Sequence, residues 1–194
     1  MANFKTRAVT KEELEQIIKT MMEGFVLPSG QRIKPNERAA VALLTEANLL
    51  IRIGDVVRLK LCDIVFENDM YHLQITEEKT KKTRTFTVPA EFYTFLQTYA
   101  LKYGIRPHQR LFPVGVRAIQ NALHLTCEYL GLHGISTHSC RKFGITQIYL
   151  SSGYDIALCK EILNHSSINI TTRYISTDSK RIHDELEKHI FIPA

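Results

Sequence analysis

The sequence lacks the features that mark secreted, membrane-spanning or zinc-stabilised proteins. The four cysteines form no C-x-x-C pair and stand far apart, at Cys62, Cys127, Cys140 and Cys159. This spacing argues against a zinc site or a disulfide framework and favours a reducing cytosol. The longest apolar stretch, around residues 49–51, is interrupted by Arg52, and the first ten residues lack the apolar core of a secretory signal. We therefore expect a cytoplasmic protein with no membrane segment.

The length and charge of the chain limit its architecture and its partners. Its 194 residues can bury one sizeable core but not two comfortable ones, and 44% of them are hydrophobic. We expect a single domain over 1–194, with 1–9 as an extension or linker and 179–194 as a tail helix. The formal net charge of +5 and the pI near 9.0 permit binding to a polyanion without requiring it.

The pattern of apolar residues predicts a mainly α fold with a small three-stranded antiparallel sheet (α+β). Thr10 and Glu13 form a capping-box pattern at the start of the first helix, and Asn36 is the predicted cap of a strongly apolar second helix. The segment 24–35 is predicted as a loop from its prolines and glycine. The remaining helices are predicted at 54–61, 90–102, 116–130, 138–151, 155–163, 167–175 and 179–190. Alternating or β-branched segments predict strands at 63–66, 71–76 and 83–88.

The segment THSCRKF places His138 and Arg141 three residues apart. On a helix, both side chains lie on one face and can meet a single anion. The planar guanidinium of arginine pairs with two phosphate oxygens at once. The motif is short and occurs by chance, so a solvated helix face is the alternative interpretation.

Arg52 stands in the most hydrophobic part of the chain, where an unpaired charge is costly. Asp55, three residues later, can hold Arg52 by hydrogen bonds, or it can orient a neighbouring histidine. The pair has two interpretations, a functional arginine held by a carboxylate or a structural pair that caps the next helix.

Two further segments carry reactive side chains. Lys79 lies in the predicted hairpin tip EEKTKK, where lysines commonly face solvent but can also reach a nucleic-acid groove and deliver a proton. The segment LNHSSINITTRYIS contains His165 and, nine residues later, Tyr174. A lone tyrosine in such a segment is commonly a packing residue, so a catalytic role for Tyr174 depends on partners elsewhere in the chain.

Taken in chain order, these residues resemble the signature of the tyrosine recombinase (phage integrase) family. That signature is an arginine, a hairpin lysine, H-x-x-R, a histidine or tryptophan, and a nucleophilic tyrosine. The corresponding residues are Arg52, Lys79, His138, Arg141, His165 and Tyr174. The flanking segments RIGDVVRLKLCDI, KTKKTRTFTVP and STHSCRKFGITQIYLSSGYDIALCKEILNHSSINITTRYI also resemble family motifs, so the resemblance covers roughly residues 8–190. The chain departs from the family at Asn164 and at Leu50-Ile51, where Gly and Gly-Leu are usual.

The resemblance implies the tyrosine recombinase catalytic-domain fold and a transesterification on DNA that needs no metal, ATP or other cofactor. Arg52 and Arg141 are then expected to clamp the phosphate. His138 and His165 donate hydrogen bonds to it, and His138 also serves as a general base. Tyr174 attacks to give a 3′-phosphotyrosine intermediate. Lys79 protonates the leaving 5′ oxygen.

The resemblance also implies partners and a biological setting. We expect double-stranded DNA as the partner, a nucleoid-associated location, and a role in DNA integration or recombination, for instance in a mobile genetic element. The full-length protein is expected to act as a homo-tetramer on paired DNA sites. Family members usually carry a core-binding domain ahead of this one, for which the residues before the first predicted helix leave no room, so we expect either a catalytic fragment of a longer protein or a minimal form. We favour the fragment, which alone is expected to be a monomer, with its tail helix docked in cis or in trans.

Three other functions share part of this pattern. A non-cleaving DNA-binding regulator would share the charge and the helices but would not need all six residues together. A type IB topoisomerase would use similar chemistry to relax supercoils without a second site. A phosphatase that uses histidine and arginine is a weaker third alternative.

Overall fold

The computed structural model of the chain describes residues 6–78, 81, 83–163 and 167–172. This part of the chain consists mainly of helices, with two small antiparallel sheets. The helices are α1 Lys11–Glu23, α2 Glu37–Leu49, α3 Ile53–Val56, α4 Ala90–Lys102, α5 Val116–Tyr129, α6 Thr137–Ser151, α7 Ile156–Leu163 and α8 Ile168–Thr171. The strands are β1 Phe25–Val26, β2 Arg32–Ile33, β3 Ile64–Glu67, β4 Met70–Thr76 and β5 Thr83–Val88.

The start of α1 has the predicted capping box. The Thr10 hydroxyl accepts a hydrogen bond from the backbone N–H of Glu13 at 3.1 Å, and the Glu13 carboxylate accepts one from the N–H of Thr10 at 2.9 Å. Arg7 adds two 2.6 Å hydrogen bonds to the same carboxylate. These bonds satisfy the free N–H groups of the first turn and fix the segment before α1.

Helix α2 lies at the centre of the core. Asn36 caps it, as predicted, by accepting a hydrogen bond from the N–H of Ala39 at 3.1 Å. Most of its side chains are buried, and α1, α3, α5 and α6 pack around it. Helix α6 approaches most closely at Gly144, where an added Cβ would lie 2.0 Å from the carbonyl oxygen of Ala47. Only glycine permits this distance between the two helices.

The three-stranded sheet β3-β4-β5 confirms the predicted antiparallel sheet. Strands β3 and β4 are joined by a tight turn at Asn68 and Asp69, both with positive φ, which matches the twist of a two-residue hairpin. Leu73 of β4 is fully buried, so one face of the sheet covers the helical core. At the opposite end from the β3–β4 turn, β4 and β5 pair as far as Thr76 and Thr83, next to the described residues Glu77 and Glu78.

Two predictions of local structure were wrong. The segment 24–35 is not only a loop, because β1 and β2 pair there and the ring of Phe25 stacks on Tyr129 with centroids 4.6 Å apart. The helix predicted at 54–61 stops at Val56, because the carbonyl of Leu59 accepts a hydrogen bond from Leu111 and Lys60 pairs with Arg110 in extended conformation.

The other long helices begin and end within two residues of their predicted bounds. Of the predicted helix 167–175, only 167–172 is described, and it contains α8. The predicted tail helix within 179–194 lies outside the described residues. None of the helices in the described ranges has the length and apolar character required to cross a lipid bilayer.

Candidate active site

Arg141 is the largest fully buried side chain in the described part of the protein. It lies one turn into α6, and its Nε donates a hydrogen bond of 2.8 Å to the carbonyl oxygen of Leu50. That carbonyl is available because α2 ends there, and the last carbonyls of a helix have no partner within the helix. The end of α2 therefore fixes the plane of the Arg141 guanidinium.

Leu50 ends α2 in a left-handed conformation, with φ of 53° and ψ of 27°. This is the position at which the resembled family usually has glycine, and the backbone keeps the geometry that glycine adopts readily. The Leu50 side chain is buried in a small apolar cluster with Ile145, Cys159 and Leu163. Packing against α6 and α7 thus offsets a conformation that is unfavourable for leucine.

Arg52 follows two residues later, immediately before α3. Its side chain is 18% exposed, and its Nη1 donates a 2.6 Å hydrogen bond to Oε2 of Glu77, which is only 2% exposed. Glu77 directly follows β4, so the end of the central strand of the sheet holds the guanidinium of Arg52. The carboxylate oxygen of Glu77 accepts from a guanidinium donor that can also bind a phosphate oxygen.

The prediction that Asp55 holds Arg52 was wrong. The Asp55 carboxylate accepts a 2.5 Å hydrogen bond from Arg58 and a 2.9 Å bond from the backbone N–H of Glu78. Arg58 lies three residues further along the chain, within reach of Asp55, and Glu78 belongs to the hairpin tip. Asp55 therefore positions the base of the hairpin that carries Lys79.

Glu46 is a fully buried carboxyl group on α2, next to the residues described above. Its Oε1 accepts a 3.1 Å hydrogen bond from the backbone N–H of Ile53 and lies 3.8 Å from Nδ1 of His138. Burial raises the pKa of Glu46 to about 8, although the positive charge of Arg141 acts in the opposite direction. Glu46 is thus in contact with the segment before α3 and with helix α6.

The structure brings together three of the six predicted site residues. Arg141 binds the backbone at Leu50, Arg52 lies two residues beyond it, and His138 is on the same face of α6 as Arg141. The His138 side chain is 48% exposed and can meet a ligand from solvent, whereas Arg141 is fully buried. Two arginines and an imidazole are groups that can stabilise an oxyanion, and their joint role in this chain remains a prediction.

Lys79, His165 and Tyr174 lie outside the described residues. The chain is described up to Glu78 on one side of the hairpin tip, and up to Leu163 and again over 167–172 towards the C-terminus. The roles assigned to these three residues remain predictions. Within the described ranges, no group of three or more His, Cys, Asp or Glu side chains has the arrangement of a metal site.

Two carboxylates of the site were not predicted from the sequence. Glu46 is the lone acid in the apolar part of α2, and a charged residue in a helix buried on most sides signals either a partner or a function. Glu77 is the first residue of the hairpin tip EEKTKK, and its position in the sequence does not distinguish it from the other charged residues there. Only the fold shows that it faces Arg52.

Comparison of this sequence with known proteins gives one family and relatives with related names. The model of the phage integrase family matches residues 7–181. The chain is 30% identical over 154 residues to the probable integrase/recombinase YoeC of Bacillus subtilis, covering 75% of this chain and 81% of that protein. It is 27% identical over 190 residues to the tyrosine recombinase XerA of Pyrococcus furiosus, covering 94% of this chain and 61% of that protein.

Solved structures show the same fold at lower sequence identity. The XerH site-specific recombinase in a post-cleavage complex with its difH substrate has a TM-score of 0.72 and 18% identity, over 96% of this chain and 54% of that one. The catalytic domain of bacteriophage HP1 integrase has a TM-score of 0.63 and 18% identity, over 95% of both chains. The chain thus spans about half of the XerH chain and nearly all of an isolated catalytic domain.

The fold, the arginine pair with His138, and a family match that covers most of the sequence agree with one another. The chain belongs to the phage integrase family and has the fold of a tyrosine recombinase catalytic domain.

Proposed function

We propose that this chain is the catalytic domain of a site-specific DNA recombinase that cleaves and rejoins double-stranded DNA through a 3′-phosphotyrosine intermediate. The observation that carries the proposal is the placement of two arginines and a histidine around the end of α2, with Arg141 fixed by the carbonyl of Leu50. A phosphodiester repels an attacking oxyanion, and preorganised cationic groups reduce that repulsion most strongly in the transition state.

The first half of the reaction exchanges one phosphodiester for another. The phenol oxygen of Tyr174 forms a bond to phosphorus, and the bond from phosphorus to the 5′ oxygen breaks. His138 takes the phenol proton, and Lys79 gives a proton to the leaving 5′ oxygen. His165 donates a hydrogen bond to the phosphate. A 5′ hydroxyl of another strand then reverses these steps, so the bond energy is conserved and no ATP is consumed.

Arg52 and Glu77 suggest how the site receives DNA. The guanidinium of Arg52 is bound to a carboxylate at 2.6 Å, and an arriving phosphate competes for the same donors. Because Arg141 is already fixed by the backbone, it can hold one phosphate oxygen while Arg52 exchanges Glu77 for another. The site would then close on the phosphate through Arg52 alone.

The relatives favour this function over the alternatives. The curated proteins that the chain resembles are named integrases or recombinases, and none of those named above is a DNA-binding regulator or a topoisomerase. Solved neighbours include XerH bound to its difH substrate and a lambda integrase dimer bound to a core site. We propose double-stranded DNA as the partner of this chain as well, with a homo-tetramer as the active form of the complete protein and a monomer as the form of this chain alone.

Covalent trapping tests the proposed nucleophile. A DNA duplex that carries a nick just past the scissile phosphate loses the short 5′ fragment after attack, so the protein stays linked to the 3′ end. The wild-type protein should give a covalent adduct that is retarded on a denaturing gel, and Tyr174→Phe should give none. An adduct that persists in Tyr174→Phe would show that Tyr174 is not the nucleophile.

Tyr129 provides a matched control for this experiment. It is 46% exposed on α5 and stacks on Phe25 in the two-stranded ribbon, so it is a reachable phenol that the mechanism does not use. Tyr129→Phe should trap DNA as the wild-type protein does. Binding of both variants to the same duplex should weaken steeply with salt, because backbone phosphate contacts release counterions.

A further inference from the structure

Glu46 is the buried acid that the proposed reaction leaves without a role. It lies on α2 and is fully buried. Replacing such a group by an apolar residue of similar volume is often neutral or stabilising for folding. Its position between the Arg52 segment and α6 therefore calls for an explanation beyond stability.

The hydrogen bonds of Glu46 fix which of its two oxygens accepts. Oε1 accepts the backbone N–H of Ile53 at 3.1 Å, and Oε2 has no hydrogen-bond partner among the described residues. Oε1 is also the atom closest to His138, 3.8 Å from Nδ1. At 3.8 Å the two atoms are adjacent but beyond hydrogen-bond distance, so a hydrogen bond between them requires an approach to about 3 Å. A ring nitrogen that meets an accepting oxygen must carry the proton.

We propose that Glu46 is a positioning residue that holds His138 in the tautomer with the proton on Nδ1, which leaves Nε2 to take the phenol proton of Tyr174. This inference rests on the proposed function and deepens its general-base step. The same logic governs metal-bound and catalytic histidines, in which the hydrogen bond at one ring nitrogen decides what the other can do.

The burial of Glu46 supports the assignment. Its pKa near 8 means that the carboxyl group is mostly protonated at neutral pH, and the proton resides on Oε2 because Oε1 already accepts the N–H of Ile53. Oε1 therefore accepts in both protonation states. When His138 becomes an imidazolium during the reaction, its charge and that of Arg141 both favour ionisation of Glu46, which supplies the compensating negative charge.

A purely structural role makes a different prediction. If Glu46 only satisfied the N–H of Ile53 at the start of α3, its replacement would change folding stability and leave the state of the imidazole unaltered. The ring ¹⁵N chemical shifts of His138, assigned with a His138→Gln sample, report the tautomer directly and separate the two roles.

The experiment compares three variants with the wild-type protein. Glu46→Met removes the accepting oxygen at similar volume. Glu46→Gln keeps it, because the N–H of Ile53 orients the amide with its oxygen at the Oε1 position. Glu37→Gln is the matched control, a partly exposed glutamate of the same helix whose partners are Lys102 and Tyr103. Each protein is measured for the His138 tautomer, for adduct formation on the nicked duplex, and for affinity to that duplex.

We expect the Nδ1–H tautomer in the wild-type, Glu46→Gln and Glu37→Gln proteins, and a shift to Nε2–H in Glu46→Met. Adduct formation by Glu46→Met should fall about 10- to 100-fold with little change in affinity for the duplex, as for other residues that orient a catalytic group. An Nε2–H tautomer in the wild-type protein would overturn the inference, even if Glu46→Met does not fold. Retention of Nδ1–H in a folded Glu46→Met would overturn it too.

These outcomes are distinct from failure of the proposed function. If the wild-type protein forms no adduct with the nicked duplex, the recombinase mechanism fails whatever the tautomer. If the adduct forms but His138 of the wild-type protein carries its proton on Nε2, or keeps it on Nδ1 in folded Glu46→Met, only the role of Glu46 fails.

Discussion

The two arginines of the site are held in opposite ways. Arg141 is fully buried and its Nε is bound to a backbone carbonyl, whereas Arg52 is 18% exposed and its Nη1 is bound to a carboxylate. A backbone carbonyl bears no net charge and cannot leave, so Arg141 is positioned before any ligand arrives. We propose that a phosphate takes the place of Glu77, so that Arg52 changes partner when DNA binds. One arginine is thus part of the core, whereas the other is partly accessible to a ligand.

The largest expected effects come from removing each arginine. Arg52→Ala and Arg141→Ala should both reduce adduct formation on the nicked duplex by at least about 10²–10³-fold, because each removes a donor to the charge that develops in the transition state. Their effects on folding should differ. Arg141→Ala leaves a cavity in place of the largest fully buried side chain of the described residues and removes the donor to the carbonyl of Leu50, so it should cost about 3–5 kcal/mol.

Arg52→Ala alone would leave the buried carboxylate of Glu77 without this cation, so the comparison uses Arg52→Ala/Glu77→Gln, which leaves no charge buried. This double variant should cost much less than Arg141→Ala in the same urea unfolding measurement, because Arg52 is in partial contact with solvent. Lys102→Ala, which breaks a pair with Glu37 at the surface, is the control and should leave the unfolding free energy close to that of the wild-type protein. Equal losses of stability in Arg141→Ala and in Arg52→Ala/Glu77→Gln would refute the distinction drawn between the two arginines.

The buried carboxyl group beside Arg141 predicts a pH-dependent stability. The pKa of Glu46 is raised from 4.5 to about 8 in the folded protein, so between these pH values the folded state holds a proton that the unfolded state has released. The contribution of Glu46 to stability is therefore greatest below pH 4.5 and is lost as the pH rises towards about 8. Each pH unit in this window costs on the order of 1 kcal/mol.

Glu46→Gln cannot release a proton and should remove this dependence. Its urea midpoint should exceed that of the wild-type protein by an amount that grows from pH 5 to pH 8 and then levels off. The comparison uses the difference between the two proteins at each pH, because other titrating groups contribute equally to both. A difference that does not vary with pH would mean that the carboxyl of Glu46 titrates near its ordinary value.

The close approach of α2 and α6 gives the next largest effect. Gly144→Ala places a Cβ 2.0 Å from the carbonyl oxygen of Ala47, so the two helices must separate. We expect a loss of about 1–3 kcal/mol in unfolding free energy, together with slower adduct formation, because α6 carries His138 and Arg141.

Gly115→Ala is the matched control, since nothing lies within 4 Å of its added Cβ and its φ is −79°. Its unfolding free energy and its rate of adduct formation should stay close to those of the wild-type protein. If Gly144→Ala is as stable and as active as Gly115→Ala, the spacing of the two helices does not hold the site together.

Local sequence patterns predicted the long elements and the placement of His138 and Arg141 on one helix. The caps at Thr10 and Asn36, the α6 pair His138 and Arg141, and the three strands follow from short-range rules of spacing and capping. Glu46 and Glu77 did not follow, because their partners lie on other elements and only packing brings them together. The pairing of Arg52 was predicted wrongly for the same reason, since Asp55 was near in sequence and Glu77 near in space.

The smallest effect concerns the residue that links the two arginines. Leu50 adopts φ of 53°, which costs leucine about 1 kcal/mol relative to glycine, but its side chain fills the cluster of Ile145, Cys159 and Leu163. Leu50→Ala and Leu50→Gly both lose that packing, which should cost about 2–4 kcal/mol, and only the glycine variant relieves the backbone. Leu50→Gly should therefore be the more stable of the two by about 0.5–1 kcal/mol in urea unfolding. If Leu50→Ala is equally stable or more stable, the left-handed turn is not strained, and the carbonyl that holds Arg141 owes its position to the helix end alone.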